Sequence, residues 1–332
     1  MRLLFNNEIQ IDKWSNLLER SPYSSPFQTR QFYDIVNSVA TYNANAIAVE
    51  DEGNLQNLAL IAFQKEPGIS GFFSRRGIIY GGPLLSLENH EANTFLINGI
   101  SKYFSKKAIY FETRNAFDYS SFQEIFRLNG WNYSSHLNVK LNIHNKEIKD
   151  ILSEMKYNRR REVRISLDAG TNYRSCETKD ELREVYKILK KLYKEKVKLP
   201  LPSFEFFSEI MDSSIGKVFI VKHNSNIIGG SVCLFLPGKE IYTMYYCGDR
   251  NYSKKLFPTH LSILAAIEFG LTQNVKSLDF MGAGKRDKEY GVRQYKLEFG
   301  GEIVEHGRFL KISRPVLFQL GNIGLKFYKK FR

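Results

Sequence analysis

The chain is poor in the residues that would place it in several chemical classes. It has three cysteines, Cys176, Cys233 and Cys247, scattered and odd in number, and no C-x-x-C pair. That argues against a disulfide framework or a cysteine-based zinc site and points to a reducing compartment. The histidines, at 90, 136, 144, 223, 260 and 306, show no metal-ligand spacing. No stretch approaches the ~18 uninterrupted apolar residues of a spanning helix. The apolar run in MRLLFNNEIQ is far too short for a signal peptide. A cytoplasmic protein is expected. There is no nucleophile elbow, because GGSVC (229–233) breaks the G-x-S-x-G pattern. There is no P-loop either: in GAGKRD, Arg286 stands where Ser or Thr would hold magnesium.

What the chain does have is length, aromatics and positive charge. Its 332 residues fit two domains of about 150 residues each. Hydrophobic residues make up 43% and aromatics 14%, enough for two cores. The 48 Lys and Arg against 35 Asp and Glu give a formal charge of +13. Such a balance suits a partner that is a polyanion: a nucleic acid, an anionic membrane surface or a phosphorylated substrate.

Periodicity and Gly, Pro and Asn punctuation predict one order of elements, used twice. The first half reads as helices over 11–20 and 28–39, strands over 46–50, 58–64 and 78–85, a helix over 91–104, a strand over 108–112, a helix over 119–129 and a strand over 135–141. A long basic segment, 147–168, links the halves. The second half reads as helices over 179–194 and 203–211, strands over 217–221, 227–236 and 241–247, a helix over 259–271, a strand over 277–280, a helix over 287–299 and a strand pair over 303–312. The repeat predicts an α/β protein with mixed sheets and two tandem domains, 1–145 and 146–313. Residues 314–332 follow as a basic amphipathic helix. There Val316, Leu317, Leu320, Ile323, Phe327 and Phe331 recur at helical steps, with Lys326, Lys329, Lys330 and Arg332 between them. Such a helix docks on protein or lies on an anionic inner membrane face.

Three strands, a crossover helix and a parallel strand form the order used by N-acyltransferases of the GNAT type. In such a fold the donor's phosphates meet the N-terminus of the crossover helix, where free N–H groups and the dipole attract anions. Here that segment is YYCGDRNYSKKLFPTH (245–260). It makes Lys254, Lys255 and Thr259 candidate donor-binding residues. The chain lacks the Q/R-x-x-G-x-G/A loop that holds pyrophosphate before such a helix.

Four stretches carry a closer resemblance. They are YGVRQYKLEFGGE (290–302), SLDFMGAG (277–284), NRRREVRIS (158–166) and SPYSSPFQTRQFYDI (21–35). Together they resemble the FemAB family of peptidoglycan-bridge aminoacyltransferases, and they are similar to its tandem-GNAT relatives, which acylate envelope or polysaccharide amines. The set spans nearly the whole chain. Fuller members of the family carry a coiled-coil arm for which 332 residues leave no room. The resemblance implies an acyltransferase that binds no cofactor. Its donor would be aminoacyl-tRNA or acyl-CoA, and its acceptor an amine of an envelope precursor, nucleotide-sugar or lipid-linked. It leaves tRNA and the inner membrane surface as candidate partners. The alternatives are a CoA-dependent N-acyltransferase acting on an amino sugar of a surface polysaccharide, and a non-catalytic RNA- or membrane-binding module.

Acyl transfer to an amine needs a held acyl donor, a neutral amine, a proton acceptor and donors to the oxyanion. Asp279, at a strand's carboxyl end, is the first candidate acceptor; Asp287 and Glu289 are others. Gly282 and Gly284 would let the backbone turn where a ligand approaches. Lys285 and Arg286 lie beside that turn. Arg293 and Lys296, three apart, share a helix face. Gly300 and Gly301 are expected to end the helix in a left-handed cap. In the basic segment Arg160 and Arg164 share a face that could grip phosphates.

Overall fold

The computed structural model describes all residues except 66, 67, 69, 331 and 332. It divides into two compact units: residues 1–136 with 305–332, and residues 137–304. Each unit is built on one seven-stranded mixed sheet.

The first unit runs β1 (Arg2–Phe5), α1 (Ile11–Arg20), α2 (Arg30–Asn37), β2 (Tyr42–Asp51), β3 (Asn54–Gln64), α3 (Ser70–Ser74), β4 (Arg76–Gly81), α4 (His90–Phe104), β5 (Tyr110–Asn115), α5 (Gln123–Leu128) and β6 (Asn132–Ser134). The second runs β7 (Leu137–Asn142), α6 (Ile148–Glu154), α7 (Tyr157–Asp168), β8 (Asn172–Ser175), α8 (Lys179–Leu192), α9 (Phe204–Asp212), β9 (Gly216–His223), β10 (Asn226–Phe235), β11 (Glu240–Gly248), α10 (Pro258–Thr272), β12 (Ser277–Gly282), α11 (Gly291–Leu297) and β13 (Glu302–Glu305). The chain then returns to the first sheet as β14 (Arg308–Ile312) and closes with α12 (Pro315–Lys330).

The sheet orders are β1-β2-β3-β4-β5-β14-β6 and β13-β7-β12-β11-β10-β9-β8. Each therefore has the expected antiparallel start and one parallel pair across a crossover helix. The strand expected over 135–141 is β7 of the second sheet, and the short β6 just before it belongs to the first. The expected pair 303–312 is split between sheets.

Strand alternation places the helices. A Cβ at Gly229 would meet Pro258 of α10, and one at Gly230 would meet Val185 of α8, so α10 and α8 cover opposite faces of the second sheet. Helix α10 is apolar nearly all round and buried, as a helix wrapped by sheet and neighbours must be. In the first unit Ile79 faces the core around α4, while its neighbour Tyr80 packs on Phe27 and Phe32.

On α12, Val316, Leu320 and Ile323 are exposed, Leu317 is half-buried, and the Phe318 ring meets Tyr110. The expected basic side chains from Lys326 onward, with Phe327 and Phe331, lie outside the described side chains. Among the described residues no helix is long and apolar enough to cross a membrane.

Candidate active site

The second unit opens where its parallel pair ends. β11 and β12 are in register from Glu240 opposite Ser277 to Tyr242 opposite Asp279, and the described pairing stops there. The Thr243 hydroxyl reaches on, donating to the Asp279 carbonyl at 3.3 Å. One residue later β11 bulges: Cys233 of β10 faces Thr243 and Val232 faces Tyr245, so Met244 is the extra residue. A bulge re-aims backbone groups. Here it does so on the strand edge that β12 has left.

β12 is bent at the same level. Its pairing with β7 is irregular between Asp279 and Gly282. Met281 takes a left-handed φ of 61°. Such a conformation is costly for a side chain of this size, and two buried groups enforce it. The Asp279 carboxylate accepts the Met281 N–H at 2.6 Å and the Asn138 amide at 3.1 Å. The Lys296 ammonium donates to the carbonyls of Phe280, Met281 and Gly282 at 2.6, 3.2 and 2.8 Å, which matches three donors to three acceptors. Both groups are buried. Burial pushes the Asp279 carboxyl up to about 6, and it pulls Lys296 down to about 8 against the pull of Asp279.

The turn that follows is not the expected long helix. α11 begins only at Gly291, and residues 283–290 form a loop. The polar run 285–290 is exposed and has no apolar face to bury. Arg293 holds the loop, with Nε donating to the Ala283 carbonyl at 2.9 Å and Nη2 to those of Lys285 and Lys288. Gly284 has a φ of 80° and lies under the Tyr290 ring. The left-handed positions of the turn are thus Met281 and Gly284, with Gly282 between them. Gly300 ends the segment with a φ of 90°, the left-handed cap expected of it.

Behind the opening lies a polar cluster centred on the buried Arg159. Arg159 of α7 is 4% exposed and lies over the rings of Tyr295 and Phe299, 4.4 and 4.9 Å from their centroids. It pairs with Glu298 and donates to His260 Nδ1 at 2.9 Å. Arg159 Nη1 lies against both ring nitrogens of His260, and His260 Nε2 is also 2.9 Å from the Glu162 carboxylate. Burial, then the Arg159 charge, hold its pKa down at about 3, so the contact with Glu162 is a neutral hydrogen bond. Tyr295 also stacks on Tyr246 of β11. The signal in the sequence was the spacing Arg159, Val163, Ser166, which is the buried face of α7.

The other candidates fall in two places. Lys254 and Lys255 are exposed on the loop before α10, and Thr259 is its second residue. A Cβ on Gly248, at the end of β11, would lie 2.5 Å from Thr259 Oγ1 and 2.6 Å from its backbone N. This glycine lets the strand end meet the helix N-terminus. Lys285 and Arg286 are exposed on the loop after β12. Arg160 and Arg164 face solvent on α7. Arg160 caps carbonyls of Leu152 and Ser153, and Arg164 lies 4.0 Å from Asp168. The structure therefore gathers Asp279, Gly282, Gly284, Arg293 and Lys296 around one turn, and Lys254, Lys255 and Thr259 around one helix start. Asp287 and Glu289 are exposed on the loop. Among the described residues no group of three or more His, Cys, Asp or Glu is placed to hold a metal.

Residues 153–297 match the family described as an acetyltransferase (GNAT) domain. No curated protein matches the chain. Among solved structures, FemX is similar over 96% of this chain and 99% of its own, with a TM-score of 0.74 and 16% identity. The tandem GNAT protein from the clavulanic acid biosynthesis pathway, solved without AcCoA, is similar over 94% and 99%, with a TM-score of 0.59 and 11% identity. L-PGS from Bacillus licheniformis is similar over 94% and 96%, with a TM-score of 0.58 and 11% identity. The chain has the tandem GNAT fold, and its second unit carries an acyltransferase domain.

Proposed function

We propose that the second unit transfers an aminoacyl or acyl group to an amine of a cell-envelope precursor, in the manner of a peptidoglycan stem-peptide aminoacyltransferase. The observation that carries this reading is the parting of β11 from β12 beyond Tyr242 and Asp279. It leaves a strand edge with a bulge at Met244, beside a turn clamped by Lys296. A donor's acyl arm laid in that gap would present its carbonyl to the backbone N–H groups of the β11 edge. Fixed donors of this kind stabilise the oxyanion of acyl transfer. The donor's phosphates would meet the start of α10, with Lys254, Lys255 and Thr259, and the loop carrying Lys285 and Arg286. The basic face with Arg160 and Arg164 would take the remainder of a tRNA donor.

In this reading Asp279 and Arg293 serve by fixing the turn. The Asp279 carboxyl is fully buried and already accepts two hydrogen bonds, so a proton it receives from the amine would pass through water. The match of residues 153–297 to an acetyltransferase domain supports the second reading, an acyl-CoA donor and an amino sugar acceptor. Work at the cytoplasmic membrane face fits the exposed Val316, Leu320 and Ile323 of α12. Deleting 314–332 should then reduce binding to anionic liposomes.

The deciding experiment is donor binding by the full chain at physiological salt, aminoacylated tRNA against acetyl-CoA, followed by transfer to a stem-peptide amine. tRNA binding that weakens steeply with salt supports the first reading. CoA binding alone supports the second. Binding and turnover of neither overturns both.

A further inference from the structure

The first unit leaves aromatic rings bare on α3, a segment that the acyl-transfer site does not use. Phe72 is 53% exposed, Phe73 is exposed beside it, and the two rings meet edge to face with centroids 5.2 Å apart. Helix α12 crosses directly against them: a Cβ at Gly321 would lie 2.8 Å from the Phe73 carbonyl. The same side of α12 seats Phe318 on Tyr110. Another side carries Val316, Leu320 and Ile323 at steps of four and three, all exposed, Val316 to 70%. Packing on the first unit therefore accounts for one face of α12 only. Two rings and three aliphatic side chains on adjoining elements remain in water, and apolar side chains gathered in this way mark an interaction surface.

The surroundings carry charge of one sign. Residues 70–76 hold two arginines, residues 311–332 hold six Lys and Arg, and neither segment holds an Asp or Glu. The two segments are stitched together at Ile109. Its N–H donates to the Arg75 carbonyl at 2.9 Å, and its carbonyl accepts the N–H groups of Ser313 and Arg314 at 2.9 and 3.0 Å. The Arg75 guanidinium lies over the Phe72 ring, 5.0 Å from its centroid, and Arg314 is exposed at the start of α12. Two copies of the chain meeting through this face would press like charges together, which opposes association. A sheet of anionic headgroups over acyl chains complements both parts at once, with apolar depth for the rings and negative charge for the rim.

We propose that α3 and the outer face of α12 form one surface that binds an anionic lipid bilayer, with Phe72 and Phe73 as the inserted side chains and Arg75 and Arg314 among the cations that meet the headgroups. The surface is built from two segments far apart in sequence, so neither serves alone. It goes beyond the acyl-transfer reading, because binding here needs neither donor nor turnover.

The test is flotation of the full chain with vesicles of phosphatidylglycerol and phosphatidylcholine, and with vesicles of phosphatidylcholine alone. The wild type should float with the first and not with the second, and added salt should release it. Phe72→Ser with Phe73→Ser should weaken binding about tenfold, and so should Val316→Ser with Ile323→Ser. Arg314→Gln should weaken it about fivefold. All these side chains are exposed, so circular dichroism and thermal unfolding should match the wild type, and a loss of flotation then reports the surface and not the fold. No flotation of the wild type overturns the proposal. Wild-type flotation by the Phe72 and Phe73 variant overturns it too, because α12 would then act alone. A dimer in sedimentation equilibrium that the same variant abolishes would assign the face to a second copy of the chain and overturn it as well. No donor or acceptor enters these measurements, so failure of the acyl-transfer reading cannot be mistaken for failure of this surface.

Discussion

In the first unit β4 and β5 keep parallel register over six residue pairs, from Arg76 opposite Tyr110 to Gly81 opposite Asn115; in the second, β11 and β12 keep three. What lies at the end of each pair differs accordingly. Beyond β4 the space is filled. A Cβ on Gly81 would lie 2.6 Å from Gln28 and Ser25, and one on Gly82 would lie 2.5 Å from the Tyr119 hydroxyl. Gln28 donates to the Gly82 carbonyl and Tyr119 to that of Pro83, each at 2.7 Å. Beyond β11 the chain turns away through a bulge, and the space is framed by a buried lysine and a buried arginine cluster. One fold, used twice, is a packed core element in one copy and an opening in the other. A duplicated unit can lose its site by lengthening one strand pairing and growing two side chains into the gap.

The sharpest way to break this contrast is through the polar frame. Arg159→Ala should cost about 3 kcal/mol of stability by urea unfolding, because it removes a buried guanidinium that packs on Tyr295 and Phe299 and pairs with Glu298 and His260. A loss under about 1 kcal/mol would show that the cluster is incidental. The same cluster predicts an acid slope. His260 titrates near 6.5 when unfolded and about 3 when folded, so between those values the unfolded chain binds the extra proton. Stability is therefore full above 6.5 and is lost as pH falls toward 3. His260→Gln should flatten that slope, read as unfolding midpoints at stepped pH.

Next in size are changes at the two strand ends. Lys296→Met removes the donors that hold three carbonyls of the turn, and acyl transfer should fall about 100-fold with the fold retained by circular dichroism. The counterpart in the first unit, Tyr119→Phe, removes one buried hydrogen bond; it should cost about 1 kcal/mol and leave transfer unchanged. Equal loss of transfer in both variants would refute the division of labour. A paired glycine test is smaller but cleaner. Gly248→Ala drives a methyl into Thr259 and should weaken donor binding about tenfold, or about 1.4 kcal/mol. Gly82→Ala meets the Tyr119 ring and should lower thermal stability with no change in donor affinity.

The element order and the tandem fold were legible because hydrophobic period and turn residues report local structure. Strand partners were not. The strand read over 135–141 is β7 of the second sheet, while β6 just before it joins the first, and alternation is the same whichever edge a strand completes. The phase of α7 was missed for a related reason. Arg160 and Arg164 stood out by charge, while Arg159 was hidden by the rule that arginine is seldom buried unpaired; only its partners, Glu298 and His260, reveal it. Asp279 was found at its strand end, but the sequence could not show that its carboxylate would be spent on Met281.

That bond sets up the finest comparison. Gly81 and Gly82 take left-handed φ values of 74° and 87° at the closed strand end, at no Cβ cost. At the open end the left-handed residue inside the strand is Met281, which keeps its side chain and is held by Asp279 and Lys296. Met281→Gly should relieve about 1 kcal/mol of left-handed strain and give back much of it as unfolded-state entropy. The net change in unfolding free energy should stay within about 0.5 kcal/mol. Transfer is the informative readout. A fall in kcat at near-constant stability would mean that the methionine is retained to keep the turn rigid at the opening. Unchanged kcat would mean that the Asp279 and Lys296 clamps suffice, and that the two strand ends differ in packing alone.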